Sequence, residues 1–263
     1  MPRVVLHLSY DGRAGSGWQT QPGGIGLQDQ FEAALSTIAG QKISTICAGR
    51  TDTGVHAVTQ LVHFDTEAQR PLQAWIRGVN SHLPATLSVL AATEVSALFH
   101  ARFSAHRRRY HYLLYQGRVR RPLLEGRATF VHQPIDVALM NAASKHLLGE
   151  HDFSSFRSSQ CQAKSPIRVM QSINFTESGP LIAIEFVANA FLHHMVRNLV
   201  GALFQVGSQR QPIDWIASVL RARDRRVGAA TFAADGLYLS GVDYADDLAM
   251  DLWPEPPPGL IWS

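Results

Sequence analysis

Ala48-Gly49-Arg50-Thr51-Asp52-Thr53-Gly54-Val55-His56-Ala57 is a polar, turn-forming stretch set between two runs of strand character, residues 42–47 and 60–65. Glycine frees the backbone for tight turns, so the segment reads as a loop joining two strands. That reading decides the first half. Upstream, residues 4–10 alternate as a strand, and Leu27, Phe31, Leu35 and Ile38 recur at helical spacing up to Gly40. Downstream, residues 72–79 predict a short helix and residues 88–95 a strand. The order is β-α-β-β-α-β, the split βαβ pattern.

The second half repeats the mixture. Residues 110–116 predict a strand, and residues 134–148 a helix stopped by Gly149. Residues 167–175 and 181–187 predict a hairpin around Ser178-Gly179-Pro180. Residues 191–206 carry the strongest helical pattern, with Phe191, Met195, Leu199 and Leu203 on one side. A further helix is expected over 213–223 and a strand over 237–242, and Pro254–Pro258 suits neither. The expectation is a duplicated α+β architecture divided near residue 105. Residues 1–105 form an N-terminal α+β subdomain carrying the Asp52 loop, and residues 106–263 a C-terminal one.

The formal net charge of +3 is a weak pointer to nucleic acid, but its distribution is uneven. Eight arginines lie between Arg102 and Arg127, with Glu125 as the one acid. Such a surface attracts a phosphate backbone; it is equally what a solvated basic face looks like. Cys47 and Cys161 make no disulfide framework and no zinc motif, which fits a reducing compartment. An export signal and a membrane-length apolar run are both missing from the pattern, so a soluble, cytoplasmic protein is expected.

In the 48–57 loop a carboxylate can be presented to a cleft, or Asp52 can cap its own turn. Arg50 can neutralise a phosphate or orient the acid. Tyr110, just past Arg107, Arg108 and Arg109, suits base stacking beside a backbone, or faces a core together with Tyr112. Arg197 lies among apolar neighbours and needs a carboxylate or solvent. His56, His63, His193 and His194 show no metal-ligand spacing and read as RNA-facing or structural. Nucleophile elbows and phosphate-binding Walker loops are absent from the sequence.

Taken in order, the motifs resemble those of the TruA family of tRNA pseudouridine synthases. They are Tyr10-Asp11-Gly12 with Trp18-Gln19, Gly49 through Ala57, Asn80-Ser81-His82-Leu83-Pro84, and Phe99 through Ala105. Arg109-Tyr110-His111-Tyr112, Asp152 through Phe156, Asn189 through Asn198 and Gly236-Leu237-Tyr238-Leu239 complete the series. Lys164 departs from it, standing where many relatives have arginine. The resemblance implies a pseudouridine synthase fold of two ferredoxin-like subdomains whose sheets flank a central cleft. It implies isomerisation of uridine to pseudouridine at positions 38, 39 and 40 of the tRNA anticodon stem-loop. Neither a metal nor an organic cofactor is implied. The partners are tRNA and a second copy of the chain, with no membrane and no DNA.

The same resemblance assigns Asp52 as the catalytic carboxylate, Arg197 as the cation that pairs with it and Tyr110 as the ring that stacks on the target base. Arg50 and Leu237 become substrate contacts, and His56, Arg107 and Arg109 are added as candidate RNA contacts. Attack at C1′, attack at C6 and proton removal at C2′ all need that carboxylate beside the glycosidic bond. The main competing reading is a noncatalytic RNA-binding protein, which has no use for a carboxylate next to a polyanion. A metal nuclease would show clustered acids, and this loop has one.

Overall fold

A computed structural model describes residues 1–245, so the proline-rich segment expected at 254–258 lies outside the described residues. The chain is a mixed α/β protein that divides into two compact units. One comprises Met1–His106 together with the late strand from Tyr238, and the other Arg107–Leu237.

In the first unit, β1 (Arg3–Tyr10) lies between β4 (Leu87–Val95) and β3 (His56–Asp65), antiparallel to both. β3 carries β1 along one edge. Along the other, β2 (Ile46–Cys47) takes His63 and Val62, and β10 (Leu237–Tyr244) runs parallel beside His56 and Ala57. The chain leaving β2 therefore passes the stretch of β3 between these two partners. α1 (Leu27–Ala39) buries Leu27, Phe31 and Leu35 completely. Asp29 Oδ2 accepts the Gly26 N–H at its start, and Gly40, at φ 68°, closes it in the left-handed region that favours glycine. Leu6, Leu8, Trp18, Phe64 and Trp75 complete this core.

One expectation fails here for an identifiable reason. The strand predicted over 42–47 shrinks to Ile46–Cys47, because helix side chains capture the backbone before it. Ser36 Oγ accepts the Ile43 N–H, and Glu32 Oε1 accepts that of Thr45. The helix predicted over 72–79 is present over residues 72–80, with its middle turn, Ala74–Gly78, wound as a π-helix against Ile38 of α1.

The second unit has the strand order β5 (Ala105–Gln116), β9 (Leu181–Ala188), β8 (Ile167–Ser178), β7 (Gly149–Asp152), antiparallel throughout. β6 (Thr129–Val131) pairs with β5 in parallel. α2 (Val137–Ser144) starts later than expected because Asp136 caps it through Leu139 N. α3 (Met195–Gly207) and α4 (Trp215–Ala222) supply Met195, Leu199, Leu203 and Ile216 to the core, beside Tyr112, Ile184 and Phe186. The predicted start of α3 at residue 191 is four residues early. His194 sits at φ 62°, outside the right-handed helical region, so the helix begins after it.

Buried histidines give the fold a pH signature. Burial pushes His63 in the first unit, and His111 in the second, down to about 4. In the unfolded chain both titrate near the ordinary histidine value of about 6.5. Between these values the unfolded state binds more protons, so stability is full above pH 6.5 and falls as the pH drops toward 4. Each histidine contributes up to about 2 kcal/mol over that range and less where solvent screens it, so urea unfolding at pH 5 should show about 2–4 kcal/mol less stability than at pH 7. A His63→Gln, His111→Gln double variant should lose most of that difference.

Candidate active site

The 49–55 loop is built from behind. Around it the side chains alternate: Arg50 is exposed, Thr51 is buried, Asp52 is half-buried and Thr53 is exposed. The loop thus turns its cation and its acid outward while Thr51 anchors it. Thr51 Oγ1 lies 2.8 Å from Tyr10 Oη at the end of β1, and its carbonyl accepts the Trp18 N–H at 3.0 Å. Trp18 stacks on Tyr10, with ring centroids 5.4 Å apart, and is itself completely buried. The 15–26 segment is therefore the inner wall of the loop.

Gln60 on β3 is the residue sequence reasoning missed. It is fully buried. Its Nε2 donates to the Gly49 carbonyl and to Tyr10 Oη, and its Oε1 accepts the Gly49 N–H. One side chain thus satisfies both backbone groups of the residue that opens the loop. In a strand pattern a glutamine reads as solvent-facing, so the sequence held no signal for it. Gln60→Leu leaves both part-buried peptide groups of Gly49 unpaired, at about 1 kcal/mol each. The expected outcome is a folded protein of lower melting temperature, with turnover reduced about tenfold and RNA affinity unchanged, checked by thermal melts and single-turnover rates.

The far end of the loop is held by the turn after β1. The Gly54 N–H, at φ 83°, donates to the Gly12 carbonyl, and the Gly12 N–H donates to His56 Nδ1 at 3.2 Å. His56 is 3 % exposed and stacks on Tyr238, centroids 4.7 Å apart. Asp11 Oδ1 lies 3.3 Å from the same nitrogen, and the Arg13 guanidinium holds that carboxyl down at about 2. His56, a candidate RNA contact by sequence, is buried and serves the architecture of the loop. His63 Nδ1 likewise accepts the Ala101 N–H. These two nitrogens are taken by amides and are not offered to a metal. Burial pushes the Cys47 thiol up to about 11, so it is no thiolate nucleophile at neutral pH.

In the second unit Tyr110 is 9 % exposed and meets Phe191 edge-on, centroids 5.0 Å apart. Arg197, in the first turn of α3, donates through Nε to the Phe232 carbonyl at 2.8 Å, and Phe232 N–H donates back to the Arg197 carbonyl. Leu237 is buried and follows Gly236, whose carbonyl accepts the Leu113 N–H. At φ 87°, and with a Cβ position only 2.5 Å from the Leu113 carbonyl, residue 236 must be glycine. Tyr112 Oη and Thr129 Oγ1 hold the 233–235 carbonyls beneath this turn.

Strand alternation separates the arginines by face. β5 is paired to β9 without interruption from Arg108 to Tyr115, so Arg108 shares a face with Tyr110. Arg107, Arg109 and His111 take the opposite face. There Arg109 Nε lies 3.2 Å from Glu185 Oε1, and Asn174 donates to the same carboxylate.

Comparison with known proteins follows the same motifs. A family model described as tRNA pseudouridine synthase matches residues 8–104 and 143–245. The tRNA pseudouridine synthase A of Bordetella parapertussis is 55 % identical over 253 residues, covering 95 % of this chain and 94 % of that one. The same-named protein of Bordetella avium is 56 % identical over 246 residues, covering 93 % and 92 %. That of Paraburkholderia xenovorans is 51 % identical over 264 residues, covering 100 % and 97 %. The loop, the edge-packed tyrosine and the helix-borne arginine thus lie on a chain that belongs to the TruA family of tRNA pseudouridine synthases.

Proposed function

We propose that this chain isomerises uridine to pseudouridine in tRNA, at positions 38, 39 and 40 of the anticodon stem-loop. The observation that carries the reading is the Asp52 loop. A half-buried carboxylate is presented from a segment whose own peptide groups are satisfied by Gln60, Trp18 and Gly12. Binding a polyanion gains nothing from such an acid, whereas glycosidic chemistry requires one.

The reaction balances within the nucleotide. The N1–C1′ bond breaks, the uracil turns, a C5–C1′ bond forms, and the C5 proton leaves while N1 gains one. For this the target must leave its stack. Tyr110 covers one face of the base, and Leu237 limits its escape. Asp52 acts ionised beside the sugar. On the family resemblance, Arg197 is the cation that keeps it so, and Arg50 holds the extruded nucleotide or its backbone. The same resemblance supports assigning the two units as split βαβ subdomains and the enzyme as a cytoplasmic homodimer. Among the described residues no helix is long and apolar enough to cross a membrane.

Unmodified tRNA carrying tritium at uridine C5 tests the activity. Release of tritium, confined on mapping to positions 38–40, is the expected result; tRNA bound without release would favour a noncatalytic RNA-binding protein. Affinity should also fall steeply with salt, since arginine–phosphate contacts release counterions. A flat salt dependence would speak against electrostatic docking.

A further inference from the structure

We propose that Arg108, Arg157 and Arg168 form a phosphate-binding subsite beside Tyr110, which holds the RNA backbone next to the everted nucleotide. The inference rests on the activity proposed above and adds a contact to it.

The subsite lies where β5, β9 and β8 end together. Arg108 occupies the strand position two before Tyr110, on the same face. Its Nη1 donates to the Asn189 carbonyl at 3.0 Å. Asn189 follows β9 and is tied to β8: its Oδ1 accepts the Val169 and Ala190 N–H groups, and its own N–H donates to the Val169 carbonyl. Arg168 precedes Val169 and is anchored through Nη1 on the Ser165 and Ile167 carbonyls. Arg157 reaches the Cys161 carbonyl through Nη2 at 3.3 Å. Backbone carbonyl oxygens thus orient all three guanidiniums.

Two further observations point to an anion. Arg168 Nε is buried without a hydrogen-bond partner, the state of a donor whose acceptor arrives with the ligand. Burial lowers the Arg168 pKa, and the like charges of Arg108 and Arg157 push the same way, with only Cys161 opposing them. A phosphate relieves both costs, because guanidinium binds it in a planar fork. A base stacked on Tyr110 carries its sugar-phosphate within an arginine's length of the ring, which puts the backbone over this cluster.

The test measures binding and chemistry on the full-length enzyme. With unmodified tRNA, Arg168→Gln and Arg157→Gln should each weaken binding about five- to tenfold and lower the slope of log Kd against log salt by about one. Arg168→Lys should restore the slope, because it keeps the charge. Thermal melts show whether each variant is folded; should Arg168→Gln fail to fold, Arg157→Gln and Arg168→Lys decide the matter. In a second arm, an anticodon-arm RNA carries a neutral methylphosphonate on either side of the target uridine. Neutralising the correct linkage should weaken the wild type about as much as Arg157→Gln does, and should leave Arg157→Gln unaffected. Folded variants with wild-type salt slopes, or a wild type indifferent to both linkages, would overturn the subsite. Absence of tritium release from the wild type sinks the proposed activity instead, while the salt slopes still report on the subsite.

Discussion

Asp52→Asn should abolish tritium release from C5-labelled tRNA, by about 10⁴-fold or more, while leaving tRNA affinity and melting temperature near those of the wild type. The expected size follows from the role proposed. Asparagine fills the same space but carries no charge, so it neither attacks a carbon nor accepts a proton. A group acting only in the chemical step lowers kcat and kcat/KM together. The loop itself should survive, because its anchors are Thr51, Gln60, Gly12 and Trp18 and lie on the other side. Residual release within about tenfold of the wild type would remove Asp52 from the chemistry.

Gly12→Ala should be nearly as damaging, through structure. A Cβ at residue 12 would lie 2.0 Å from the Val55 carbonyl oxygen and 2.8 Å from the Val55 nitrogen. Both are backbone atoms, so the turn after β1 and the end of the catalytic loop must part. The hydrogen bonds from Gly54 to Gly12 and from Gly12 to His56 go with them. We expect a loss of about 3 kcal/mol, a fall in melting temperature of about 6–12 °C, and turnover depressed at temperatures where the protein is still folded. Gly23→Ala is the control. Residue 23 also has positive φ, at 99°, but nothing lies within 4 Å of its Cβ position. Its cost should stay near 1 kcal/mol with turnover intact. Equal effects from the two substitutions would show that steric contact with Val55 is irrelevant.

How much of this was legible beforehand depends on the range of the interaction. α1 was readable to within a residue, because its apolar stripe and its Gly40 stop are both local. The hairpin of β8 and β9 was likewise readable around Gly179. The strand at 42–47 was misread because Glu32 and Ser36, on a separate element, take its backbone groups. No periodicity reports a side chain on another element. The start of α3 was misread because one left-handed residue, His194, outweighs an apolar pattern.

At the site, the Asp52 loop announced itself through its glycines and its motif. What holds the loop did not. Gln60 is an ordinary polar residue by type, and its partner is a peptide group rather than another side chain. Arg108 is a different case. Its position on the face of Tyr110 follows from counting by two once the strand is known to begin at Ala105, five residues before its predicted start.

The parallel docking of β10 beside His56 and Ala57 bears on how the enzyme is made. Most of the chain separates those two segments, so a ribosome must thread out the whole of the second unit before Tyr238 can settle on His56. Until then the early strands can collapse, but the histidine that braces the loop lacks its ring partner. A nascent chain therefore carries its acid on a loop whose His56 brace is incomplete, and competence arrives late in translation, when both halves already exist.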